Sequence, residues 1–574
     1  MALRLPSRAR RHPVAGALLA LTLLAGGAAA PAQAAPVATG HSSNHGSSST
    51  SGSLTHLPAV TPSVSNEKKM ALPKHYTLKA DGSTGTTADA EDIVNMDVAK
   101  ATVRTYYNAT GGVADKTSSP YITEVTGILE RQTKRLAKDY RKAVRRGEKP
   151  AIVVDMDDTT LWTYDMEDAS MHFSFTPSAQ QAYLEANDLP AVPGMVDYLS
   201  AAASTGYTII GLTGRGEAQR DLTVRNLTAD GYPAIASELL FLKPAAADTP
   251  DYLDCSTDGV AACNTVEYKA GTRAHIENDL GYTIVANIGD QWSDLQGGHA
   301  QRSVKLPNPT YYLPSADLPG YEKADRAMRP TERFTLAADG STGRTASGED
   351  IPNIDVVKST IRTYYGAGSD GIANKTSSAY IDEATSVASS AADGIEAQCA
   401  ARAAAGQKPA LTLDADDTTL WTYDMEDGAI RFNFTVAGQY DYILNNTMPA
   451  VPGTVDLVTR AKAAGCEIIG LTGRSEDLEA ATLANLDAEY GAGVFNHDLY
   501  FTKWTGKGDS AQPDYITCAA ATCTTVEYKA GTRAHIQDNL GYTIVANIGD
   551  QWSDLKGGNA LYQVKLPNPS YYLP

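Results

Sequence analysis

Positive charge is what this chain is short of. Its 48 Lys and Arg face 67 Asp and Glu, a formal charge of −19. A surface of that sign repels nucleic acid, so no nucleic-acid binding is expected. It also repels small anions, so any site for an anion must collect its own local cations. Long apolar runs are nearly absent too. The one that stands out, "AGALLALTLLAGGAAA" from Ala15, follows Arg4, Arg8, Arg10 and Arg11 and precedes the small residues Ala32 to Ala34. This pattern reads as an export signal over 1–34. Its apolar part is too short and too rich in Gly and Ala for a comfortable membrane anchor. The mature chain is therefore expected to be secreted, four units more negative, and without a membrane span. Cysteine is scarce, with six residues and no Cys/His cluster at zinc spacing.

In an exported chain, six cysteines suggest disulfides rather than metal ligands. Cys255 and Cys263 precede "TVEYKAGTR", and Cys518 and Cys523 precede the same letters later on, so each is expected to pair with its neighbour. Cys399 and Cys466 remain. Counted back 259 positions, they correspond to Tyr140 and Tyr207. Both tyrosines change together, so the two positions are expected to touch and to form a third bridge.

That offset comes from the strongest feature of the sequence, a long internal repeat. "DMDDTTLWTYDMED" from Asp155 recurs as "DADDTTLWTYDMED" from Asp414, and "VKLPNPTYYLP" ending at Pro314 recurs as "VKLPNPSYYLP" ending at Pro574. A unit this long is a whole domain, not a solenoid repeat. The expected organisation is the signal at 1–34, a Ser/Gly-rich linker at 35–74, one domain at 75–314, a linker at 315–332 and a second domain at 333–574.

Within each unit, short apolar runs alternate with helical patterns. "PAIVVDMDD", "GYTIIGLTGR", "SELLFLKP" and "GYTIVANIGDQWSD" read as buried strands; Pro193 to Thr205, Glu217 to Asp230 and Tyr268 to Leu280 read as helices, the last stopped by Gly281. This alternation predicts an α/β fold with a parallel sheet covered on both faces. Ligands in such sheets sit at the carboxyl ends of the strands, where the acids of this chain cluster. Asp155 and Asp157 suit a hard cation or a division of nucleophile and acid/base roles, or else a helix N-cap. Thr213, with the N–H groups of Gly214 and Arg215, suits a phosphoryl oxygen or, again, a cap. Lys269 near a helix N-terminus opposes the macrodipole and makes sense beside a bound anion. Arg273, one turn on, reaches the same anion or faces solvent. Asp290 completes a cation site with Asp155, and Asp294 orients Lys269 or a metal-bound water.

The ordered set D-x-D-x-T, Thr, Lys and Gly-Asp-x-x-x-Asp resembles the haloacid-dehalogenase-like (HAD) phosphohydrolases. "DMDDTTL", "LTGR" and "GDQWSDL" are similar to class B-type acid phosphatases, which include plant vegetative storage proteins. The resemblance implies two tandem Rossmann-like domains, each with only a small cap insertion. It implies Asp155 as nucleophile through an aspartyl-phosphate and Asp157 as acid and then base. Mg²⁺ is implied on the side chains of Asp155 and Asp290 and on the Asp157 carbonyl, with Thr213 and Lys269 on the phosphoryl group. The second unit matches at Asp414, Asp416, Thr472, Gly473, Arg474, Lys529, Arg533, Asp550 and Asp554. Substrates implied are small phosphomonoesters, because the stretch from Trp162 to Val192 is too short for a large lid. The alternatives are a storage or binding protein on this scaffold and a phosphotransferase. A histidine phosphatase is excluded, since no Arg-His-Gly occurs. Neither copy lacks the nucleophile, so two working sites are expected. Arg220 against Glu479, and Met156 against Ala415, are expected to tune the two sites differently if they meet substrate.

Overall fold

The first expected strand, Lys149–Val154, is buried at every residue after Lys149, as a strand covered on both faces must be. In the computed structural model it is the centre of a five-stranded, wholly parallel sheet. The order across the sheet is Leu240–Lys243, Thr208–Gly216, Lys149–Val154, Tyr282–Gly289 and Ser303–Lys305. The second unit repeats this order with Tyr500–Lys503, Glu467–Ser475, Lys408–Leu413, Tyr542–Gly549 and Tyr562–Lys565; Met70–Ala71 adds a short parallel edge there. The chain is therefore two α/β domains, as expected. The fifth strand of each was not expected, because "SVK" is too short to read as an apolar run. The structure describes residues 70–71, 93–255, 262–313, 351–507 and 510–573. The export signal, the linker at 315–332 and nearly all of the Ser/Gly tract lie outside the described residues.

Sequence order reverses between Lys149–Val154 and its neighbour Tyr282–Gly289. That reversal opens a crevice at the carboxyl ends, with Asp155 and Asp290 on its two lips. The expected helices form as Met195–Thr205, Arg220–Ala229 after a single 3₁₀ turn, and Thr265–Asn278. Gly281 is left-handed at φ 69°, but it stands two residues beyond the C-cap Asp279 rather than next to it. The insertion between the first two strands is small: a π-helical turn at Met166–Ser170 and one helix, Pro177–Ala186.

All three expected disulfides form. At the site of Cys399–Cys466, the first unit holds Tyr140 and Tyr207 edge to face, with ring centroids 5.2 Å apart. A bridge in one copy and a ring pair in the other tie the same helix to the same strand.

Two helices cross between the repeats. Met96–Tyr106 begins on the C-terminal segment of the second unit: its N-cap Asn95 donates to the carbonyls of Asn568 and Tyr571. It ends on its own unit, where Arg104 pairs with Asp168. Ile354–Tyr365 mirrors this. Its N-cap Asn353 donates to Asn308 and Tyr311 of the first unit, and Arg362 pairs with Asp427 of the second.

The second unit also carries a half-buried acid whose proton affinity differs from that of an exposed carboxyl. Glu383 accepts from the Tyr364 hydroxyl at 2.9 Å, and burial pushes its carboxyl from 4.5 up to about 7. The folded state then holds this proton more tightly than the unfolded chain. The resulting stabilisation is full below about pH 4.5 and is lost as pH rises through 7. Glu383→Gln should flatten the fall in melting temperature across that window; thermal melts from pH 4 to 8 with an unchanged slope would refute the assignment.

Candidate active site

Asp155 follows the end of Lys149–Val154, and its backbone N–H still donates to Ile288, so its direction is fixed by the sheet. Its Oδ1 accepts from Lys269 Nζ at 2.7 Å. Lys269 lies just inside the helix Thr265–Asn278, whose start is fixed by an Asn264–Glu267 capping box. The same ammonium also pairs with Asp294. Asp294 approaches so closely because position 289 is glycine: a Cβ there would overlap the Asp294 side chain. Asp290, at the tip of the adjacent strand, accepts from Thr159 at 3.0 Å, from Asn308 at 2.8 Å and from Tyr311 at 3.3 Å.

Asp155, Asp290 and Asp294 thus form a compact buried group, with one oxygen of each within 4.8 Å of the others. Three carboxylates outnumber the two buried ammonium groups near them, Lys269 bonded to two of them and Lys305 offsetting Asp290, so surplus negative charge is left out of water. Burial, opposed by Lys269, raises the Asp155 carboxyl well above its ordinary range, and burial also raises Asp290. The second unit repeats the group with Asp414, Asp550 and Asp554 around Lys529. There burial lifts Asp414 to about 8 and Asp550 to about 7. Carboxylates that take up protons in the absence of another cation, and that offer only oxygen, fit a hard divalent ion.

Asp157 behaves differently from its neighbour two residues away. Its carboxylate lies at the cavity and is gripped by Arg215, through Nη2 at 2.6 Å and Nε at 3.0 Å. Arg215 is itself held by Thr223 at 3.0 Å. Asp416, Arg474 and Thr482 repeat the arrangement. Arg215 and Arg474, expected on substrate, are thus engaged first with the second acid. Thr213 lines the cavity beside Asp155, and its hydroxyl accepts from the Arg215 N–H at 3.1 Å; Thr472 does the same for Arg474. Gly214 also lines the cavity.

Arg273 and Arg533 require correction. Both are completely buried, and each guanidinium donates to three backbone carbonyls of the segment after Asp294 or Asp554. They hold that loop and reach neither substrate nor solvent. Arg220 does not line the cavity either; it pairs with Glu217 and with the Ser237 carbonyl. Met156 is wholly buried behind the strand.

Sequence reasoning missed several members. Asp158 sits at φ 50° and binds Thr163 and Asn308, and burial lifts its carboxyl to about 8. Asn308 and Tyr311 lie in "LPNPTYYLP", a phrase so faithfully repeated that it signalled more than a domain end. Lys243, at the tip of its strand, adds a cation to the wall. The whole cavity measures about 600 Å³, with Met166, Phe175, Pro177 and Leu313 as an apolar side.

Lys269 is hydrogen-bonded to two members of this buried group, Asp155 and Asp294. Lys269→Met should cost about 3 kcal/mol in metal-free buffer, since it breaks a buried ion pair. A divalent cation should restore part of that loss. Thermal melts with and without the ion test this; a variant as stable as its parent would show that the carboxylates do not depend on the lysine.

Two spans of the chain, 74–314 and 349–574, match the model of HAD superfamily, subfamily IIIB (acid phosphatase). Among curated proteins, the chain is 34% identical over 141 residues to the stem 28 kDa glycoprotein of Glycine max, covering 24% of this chain and 50% of that protein. It is 31% identical to vegetative storage protein 1 of Arabidopsis thaliana over 29% of this chain and 59% of that one. It is 30% identical to acid phosphatase 1 of Solanum lycopersicum over 31% and 65%. The first of these alignments spans about half of the relative's length. With both repeats matched and each holding the same acids at the same strand ends, the chain belongs to the HAD superfamily, subfamily IIIB.

Proposed function

We propose that this protein is a secreted, Mg²⁺-dependent acid phosphatase with two catalytic domains that hydrolyses phosphate monoesters through an aspartyl-phosphate. The observation that carries the reading is the division of labour between two acids at one strand end. Asp155 is bonded to a lysine at 2.7 Å inside a buried charge cluster, while Asp157 is held by an arginine at the cavity. The second unit makes the same division with Asp414 and Asp416.

The chemistry follows from these positions. An Asp155 carboxylate oxygen attacks phosphorus, and the bond from phosphorus to the ester oxygen breaks. Asp157 delivers its proton to the departing alcohol. It then accepts a proton from the water that attacks the aspartyl-phosphate, releasing inorganic phosphate and restoring Asp155. Thr213 and Lys269 hold the phosphoryl oxygens, and Lys269 offsets the repulsion between carboxylate and phosphate. Asp155, Asp290 and the Asp157 carbonyl, with Asp294 beside them, are the groups to hold Mg²⁺. When bound, Mg²⁺ supplies the remaining charge neutralisation on the phosphoryl group. The cavity's apolar side suits the alcohol portion of a small organic ester. Three disulfides support an oxidising compartment, in keeping with the export signal expected at 1–34.

The test uses the parent, Asp155→Asn, Asp414→Asn and the double variant, assayed for release of p-nitrophenol from its phosphate ester with Mg²⁺ and with chelator. Each single variant should keep part of the rate, and the double variant and the chelated parent should lose at least ~100-fold. Complete loss in one single variant would make the other domain a scaffold, closer to a storage protein. Full activity in the double variant would remove the nucleophile assignment.

A further inference from the structure

The carboxylate Asp290 does not stand alone at its strand tip. Asn308 and Tyr311 fix its Oδ2 at 2.8 and 3.3 Å, and Asn308 also reaches Asp158 at 3.3 Å. Both residues sit on the segment after strand Ser303–Lys305, which has no regular structure of its own. What clamps that segment comes from the other repeat. Asn353 Nδ2 donates to the Tyr311 carbonyl at 2.9 Å and to the Asn308 carbonyl at 3.2 Å. The Ile354 N–H donates to Pro309 at 2.9 Å, and Asp355 accepts from the Tyr312 N–H at 3.2 Å. Asp355 also lines the cavity itself, and Lys358 donates to the Phe173 carbonyl next to the π-helical turn.

The reverse contacts match one for one. Asn95 donates to the carbonyls of Tyr571 and Asn568, Met96 to that of Pro569, and Asp97 accepts from Tyr572. Asn568 and Tyr571 in turn fix Asp550 at 2.8 and 3.3 Å. Lys100 donates to the Phe432 carbonyl. The pairing is that of an isologous interface within a single chain.

We propose that each cation site is completed in trans: the helix Ile354–Tyr365 positions the site of the first repeat, and Met96–Tyr106 positions that of the second. Asn353 and Asn95 are the positioning residues. They act through the 306–313 and 566–573 segments on Asp290 and Asp550, so that the segment carrying two of each carboxylate's donors is clamped by the other repeat. The inference rests on the phosphatase reading, in which these carboxylates bind Mg²⁺.

The test keeps the full chain and works in two single-site backgrounds. Asp414→Asn leaves the first site intact, and Asp155→Asn leaves the second. Asn353→Asp is added to each. Aspartate still caps the helix, but it has no amide hydrogens to donate to the Tyr311 and Asn308 carbonyls. Mg²⁺ affinity is read by calorimetric titration, and kcat and KM are read separately. Loss of a partner that orients a metal ligand typically weakens metal affinity about 10-fold or more. Asn353→Asp should therefore weaken Mg²⁺ binding about tenfold in the first-site chain and several-fold less in the second-site chain. Asn95→Asp should show the opposite preference. Asn353→Ser, a smaller cap without the amide, gives the same reading if the aspartate variant fails to fold. Equal weakening of both sites, no weakening, or a preference for the variant's own repeat would overturn the crossing. A parent chain that binds no Mg²⁺ at all would instead overturn the proposed function, and this inference with it.

Discussion

Too much negative charge in too little water is the constraint on which the rest of each domain depends. Asp155, Asp290 and Asp294 crowd a buried crevice in which Lys269 bonds to two of them and the buried Lys305 offsets Asp290. Left unpaired, any of them would cost several kcal/mol to keep charged. The surrounding structure answers this with an unusual density of donors. Thr159, Asn308, Gln291 and Tyr311 all donate to Asp290, and Asp158 is satisfied by Thr163. Arg273 donates to three carbonyls of the loop that carries Asp294. The acidic surface noted at the outset makes this local concentration of cations and donors more necessary, since nothing at long range attracts an anion to the crevice.

The same constraint explains why the repeats are not independent beads. A segment that carries two donors to a strand-tip carboxylate must be held firmly, and "LPNP" cannot form a regular element to do so. A helix start is well suited to the task, because its N-cap residue is already fixed by its own hydrogen bonds. Asn is a favoured cap, and here its carbonyl oxygen serves the helix while its amide serves the neighbouring segment. The helix and the segment come from different repeats, so the interface between repeats and the order of the sites are one feature.

The sheet, the strand-tip acids and the three disulfides were legible in the sequence for separate physical reasons. Buried parallel strands read as unbroken apolar runs, and their ends are where acids stand out. The Cys399–Cys466 bridge was legible through the paired loss of Tyr140 and Tyr207, which shows how a repeat can reveal a contact. The lesser members of the site were hidden. Arg273 was read as facing an anion because helical position gives direction but not depth. Asn308 and Tyr311 sit in a loop that no periodicity can place. The crossing of Met96–Tyr106 and Ile354–Tyr365 was invisible, since a repeat fixes what each unit contains but not which unit a segment packs on.

The differences between the two copies show which constraint is strict. Behind the first strand, Gly211 faces Leu240 and Met156, whereas Gly470 faces the ring of Tyr500 with the smaller Ala415 at the position of Met156. A large and a small side chain have traded places while the space they fill is kept, the kind of change that cores tolerate. Met156 against Ala415 is therefore a matter of packing and does not reach the substrate. The same holds for Tyr140–Tyr207 against Cys399–Cys466, where a ring contact and a covalent bond serve one purpose. At the strand tips no such exchange occurs: every charged group, and nearly every donor to it, recurs in kind and in place. Packing can be met by many residue sets, but a buried cluster of carboxylates can be met by very few.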